Sequence, residues 1–68
     1  MQNLRKYRIR LLGPKDSVVG ERLFYGDELA ALLEALKHCE DQAVEVWQGG
    51  RRVAGFEKGC EMMPGQAT

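Results

Sequence analysis

The chain is short of the residues from which most active sites are built. It has one histidine, His38, one serine, Ser17, and two cysteines, Cys39 and Cys60, in 68 residues. A serine–histidine dyad needs both side chains in one place. Ser17 falls in turn chemistry and His38 at the far end of a predicted helix, so no dyad is expected. Cys39 adjoins His38, but adjacent helix residues face different ways, which argues against an activated thiol. Two thiols and one imidazole leave a zinc site a ligand short, and no C-x-x-C pair is present. Both cysteines read as reduced thiols of a cytoplasmic protein, with Cys39 a small core residue three positions after Leu36.

Other absences narrow the field further. There is no G-x-G-x-x-G, no Walker loop and no H-E-x-x-H. The acidic pairs read as a helix cap (Asp27-Glu28) and a solvated loop (Glu40-Asp41), without the cleft and partner that acid–base catalysis needs. No enzyme, no catalytic residue, no metal, no cofactor and no small-molecule substrate is expected. No apolar run approaches the 18 residues of a membrane span. The start, MQNLRKYRIR, lacks the apolar stretch of a signal peptide. The expected location is the cytoplasm.

What is present is balanced in sum and uneven in place. Ten bases meet ten acids, for a net charge of zero, which argues against polyanion binding by the whole surface. Yet Arg5, Lys6, Arg8, Arg10 and Lys15 share the first stretch without an acid. The acids gather between Asp16 and Glu45.

Tyr7, Ile9 and Leu11 alternate with Lys6, Arg8 and Arg10, the period of a half-buried strand. Gly13-Pro14-Lys15-Asp16-Ser17 is a turn. Val18 to Tyr25 returns antiparallel, with Gly20 a candidate bulge and the facing of its side chains left open. Asp27 caps a helix whose Leu29, Leu32, Leu33 and Leu36 form one apolar stripe. Glu34 can pair with Lys37 or His38 on the outer side. Ala43 to Gln48 and Arg51 to Phe56 form a hairpin around Gly49-Gly50. The expected fold is α+β, in the order ββαββ: one amphipathic helix on one face of a four-stranded antiparallel sheet. Residues 1–57 make one domain, and 58–68 a mostly disordered tail that Met62 or Met63 could anchor.

A regular hairpin places Trp47 across from Arg52 and Val46 across from Val53. Val44, Val46 and Val53 then meet the helix, while Glu45, Trp47, Arg52, Ala54 and Phe56 face away. Arg8 and Arg10 face away too. The uncovered face thus gathers Trp47, Arg52, Phe56, Arg8, Arg10 and Glu45, with Arg52 stacked on Trp47. Such a surface is either simply solvated, or an interface for protein, or a stacking platform for single-stranded nucleic acid. Zero net charge places nucleic acid behind a protein partner. That partner is another chain or a second copy, and edge-strand pairing is a further route to a homodimer.

The segment VEVWQGGRRVA, Val44 to Ala54, together with YRIRLL, Tyr7 to Leu12, resembles short bacterial proteins of unknown function. The likeness implies a repeated Trp–Gly–Gly–Arg hairpin and brings no activity with it.

Overall fold

The computed structural model describes residues 4–62. One helix lies on a five-stranded antiparallel sheet. The strands are β1 (Arg5–Leu12), β2 (Val18–Gly26), β3 (Ala43–Gln48), β4 (Arg51–Glu57) and β5 (Glu61–Met62), and the helix α1 (Glu28–Leu36) joins β2 to β3. Across the sheet the order is β2-β1-β3-β4-β5. The element order is therefore ββαβββ rather than ββαββ. The extra strand lies within 58–68, the segment expected to be a mostly disordered tail. Glu61 pairs with Glu57 and Met62 with Phe56. The remainder of that expected tail, 63–68 with Met63, lies outside the described residues. Among the described residues, no helix is long and apolar enough to cross a membrane.

The helix begins as its sequence predicts. Asp27 is the N-cap, and its carboxylate accepts from the Ala30 N–H at 2.8 Å, satisfying a donor that the first turn leaves free. Glu34 pairs with Lys37 at 3.3 Å and approaches His38 at 3.7 Å. The buried side is not the leucine stripe, however. Ala31, Ala35 and Cys39 are wholly buried, while Leu29, Leu33 and Leu36 are exposed and, of the four stripe leucines, Leu32 packs on the core. At 100° per residue, the line through Ala31, Ala35 and Cys39 lies roughly 110° around the helix from the stripe.

The reason is at the helix's C-terminal end. Cys39 is bonded to Cys60, with Cα atoms 5.0 Å apart, so the cysteines are not the reduced thiols expected. The bond draws Cys39 toward the sheet, and the residues one and two turns earlier on the same line follow it. Those residues are alanines, small enough for a close approach. Gly59 N–H adds a 2.8 Å bond to the Cys39 carbonyl, and Cys60 N–H closes a turn onto Glu57 at 2.8 Å.

Beneath the helix lie Tyr7, Ile9, Val44, Val46, Ala54 and Phe56, all buried. Phe56 belongs to this core, not to the open face. The cause is a bulge in β4. Trp47 pairs with Arg52 and Gln48 with Arg51 as expected, but Val46 pairs with Ala54 and Val44 with Phe56. Val53 is the extra residue. A shift of one position reverses the facing of every residue beyond it, so Ala54 and Phe56 turn toward α1 and Gly55 turns away, opposite Glu45. At the hairpin tip only Gly49 uses the left-handed region, at φ 61°, a position where other residues are strained.

Two consequences can be measured. Reducing the disulfide, or replacing both cysteines by serine, should lower unfolding stability by about 3 kcal/mol, the chain-entropy value for a closed loop of this order; urea midpoints with and without reductant give the difference. Phe56→Ala should cost about 3–5 kcal/mol as a core truncation, and a thermal melt showing a loss near zero would return Phe56 to the surface.

Candidate functional site

The face that α1 leaves uncovered is set by strand pairing. Opposed residues in an antiparallel sheet share a face, so those of β1 whose neighbours Tyr7 and Ile9 are buried under the helix must point to the other side. Reading across β2, β1, β3 and β4, one row of this open face holds Leu23, Arg8, Trp47 and Arg52. The next holds Glu21, Arg10, Glu45 and Gly55. Tyr25 sits beside Lys6.

These side chains form one continuous polar chain. Glu21 Oε2 accepts from Arg10 Nε at 3.3 Å and lies 3.5 Å from Arg8 Nε. The Arg10 guanidinium lies over the Trp47 ring, 4.9 Å from its centroid. The indole Nε1–H donates to Glu45 Oε1 at 3.0 Å, and Arg52 Nη1 donates to Glu45 Oε2 at 3.1 Å. Glu45 is thus the hinge of the arrangement. One oxygen fixes the indole and the other a guanidinium, and its side chain is only 18% exposed. Gly55 directly opposite carries no side chain to compete with it.

Five of the six residues expected on this face are brought together: Arg8, Arg10, Glu45, Trp47 and Arg52. Phe56 is not among them. A cation over the indole comes from Arg10, the diagonal neighbour on β1, a contact the sequence did not indicate. Such placement is reachable because diagonal positions remain within the span of a long side chain. Trp47 is consequently half-buried rather than open.

The exposed apolar part of the face comes from residues the sequence did not assign. Leu23 is 54% and Tyr25 61% exposed. Their signal was the shared parity of Leu23, Tyr25 and Glu21, since Glu21 is the acid that pairs with the outward arginines. What obscured it was a bulge in the first hairpin: Leu11 pairs with Gly20 and Leu12 with Val18, leaving Val19 extra.

A depression of about 510 Å³ lies elsewhere, lined in part by Leu12, Pro14, Val19, Asp41 and Lys58. None of the network residues borders it. Among the described residues, no three or more His, Cys, Asp or Glu side chains gather as metal ligands would. No family model, no curated protein and no solved structure matches this chain.

Glu45→Ala should remove both anchors from the centre of the face. The expected outcome is a stability loss of about 1.5–3 kcal/mol, the range for hydrogen bonds to a charged group, with a red shift of Trp47 emission as the indole loosens. Unchanged emission in a folded variant would mean that the carboxylate does not hold the ring.

Proposed function

We propose that this chain is a non-enzymatic module that works by binding another protein through its open sheet face. Leu23 and Tyr25 supply the apolar contact, and Arg8, Arg10, Glu45, Trp47 and Arg52 a polar platform beside it. The observation that carries this reading is the adjacency of the two: exposed Leu23 shares a row with Arg8, Trp47 and Arg52. Exposed apolar residues next to aromatic and arginine side chains have the composition of an interface core. The platform side chains are already held by one another, so docking immobilises few further rotamers.

Single-stranded nucleic acid is the weaker reading. Arg8, Arg10 and Arg52 each lie against a carboxylate, and a phosphate would have to displace it. Zero net charge adds no long-range attraction. As to location, a closed Cys39–Cys60 bond favours an oxidising compartment over the cytoplasm suggested by the sequence.

Affinity capture from the native host with immobilised protein tests the binding role. The wild type should retain a protein that survives nuclease treatment, and Leu23→Asp with Tyr25→Asp should retain at least about tenfold less, a loss equivalent to roughly 1.4 kcal/mol or more. Leu33→Asp, on the far side of the helix, should behave as wild type. Equal capture by all three would sink the proposed face.

A further inference from the structure

The sheet ends in two unlike edges. β5 has 2 described residues, Glu61–Met62, and the disulfide at Cys60 ties its approach to the turn past α1. A tethered edge offers little to pair with. β2 is 9 residues long, VVGERLFYG, with neither proline nor lysine. Val18, Val19, Leu23 and Tyr25 are all more than half exposed on it. Its bulge residue, Val19, lies near one end, and the stretch from Gly20 to Gly26 pairs with β1 without interruption. Of the usual protections of an edge strand, β2 has a bulge near one end and the charged pair Glu21-Arg22 at its middle, and the rest of the strand is apolar or glycine.

We infer that this edge takes a second copy of the chain, β2 against β2 antiparallel, with the two-fold axis at Leu23. The inference goes beyond the binding role proposed above, since it concerns the edge of the sheet rather than its open face. A two-fold axis perpendicular to the sheet keeps both helices on one side, so each β2 residue meets one of the same facing. That restriction leaves few registers. An axis at Arg22 sets a guanidinium directly against its copy, and one at Glu21 does the same with carboxylates; like charges so placed are destabilising. An axis at Leu23 brings Leu23 to Leu23, Glu21 to Tyr25, and Arg22 to Phe24, with Gly20 against Gly26.

Each of those pairings is favourable or neutral. Arg22 and Phe24 both face the helix side, opposite Ile9 and Tyr7, so the guanidinium of one copy can lie on the ring of the other. Leu23 meets its copy on the open face, next to Arg8, and the pair buries apolar surface that is 54% exposed in the single chain. Net charge zero leaves no overall repulsion between copies. The two five-stranded sheets then run on as one, with the polar platforms on a common face.

Sedimentation and light scattering across a concentration series test this. The wild type should move from 7.7 kDa to twice that mass as concentration rises. Leu23→Lys, which opposes two ammonium groups at the axis, should weaken the dimer by more than about 100-fold, while Leu33→Lys on the helix leaves it unchanged. Hydrogen exchange needs no variant: amides between Val18 and Gly26 should slow when the wild type is concentrated, and those of β5 should not. A wild type of single-chain mass at millimolar concentration overturns the second copy, whereas the capture experiment could still succeed with a different protein. A dimer broken by Leu33→Lys, or untouched by Leu23→Lys, overturns the β2 contact.

Discussion

The bond between Cys39 and Cys60 governs more of this structure than its place near the end of the chain suggests. It fixes the turn just past α1, three residues beyond Leu36, to the turn before β5. With the chain held just past its end, the roll of the helix is set by which line packs best against the sheet. The line is Ala31, Ala35, Cys39. Small residues there bring the helix close to a sheet whose own side chains, Tyr7, Ile9 and Phe56, provide the bulk. The core is therefore built mostly from the sheet, and the helix serves as its lid. The leucines that would fill a core under a more distant helix are left outside.

A second constraint is the single-residue offset at Val53. It divides β4 into a part that obeys the hairpin and a part that obeys the core. Near the tip, Trp47 and Arg52 remain opposed, which keeps the indole on the open face. Beyond the offset, Ala54 and Phe56 turn inward. Phe56 then sits opposite Val44 in the core under the helix, and burying so large a side chain matters in so small a domain. The same offset leaves Gly55 across from Glu45, so the carboxylate can bind both the indole and Arg52. One bulge thus supplies the core with its largest β4 residue and the open face with its anchor.

These two features also mark where the sequence was readable and where it was not. Alternation in Tyr7 to Leu12, the Asp27 cap and the Gly49-Gly50 tip are local signals, and each element formed where its residues indicated. The outward direction of Arg8, Arg10, Glu45, Trp47 and Arg52 followed from the same periodicity. Phe56 was misplaced because a bulge is invisible to a period of two until the partner strand is known. The leucine stripe was misassigned because periodicity gives the apolar side of a helix but not which side a distant covalent bond presents. Leu23 and Tyr25 went unassigned since the first hairpin is closed by a 3-10 turn over Pro14–Asp16, with Lys15 at φ 59°, and such a turn does not dictate register as a glycine pair does.

The division of charge and apolar area between the open face and the β2 edge bears on how the molecule can associate without precipitating. On the face, the outward arginines answer to Glu21 and Glu45, so a partner covering them desolvates ion pairs already formed rather than lone charges. Removing lone charges from water would cost several kcal/mol per group; covering a pair that retains its hydrogen bonds costs far less. Along the edge, Glu21 and Arg22 interrupt the apolar run at its middle, and that interruption limits which pairings are tolerated. A sliding, open-ended stacking of β2 edges would pass through registers that set like charges together. A two-fold contact at Leu23 avoids them, and because it uses the same strand from both copies it closes on itself, with the disulfide-tethered β5 edge at either end.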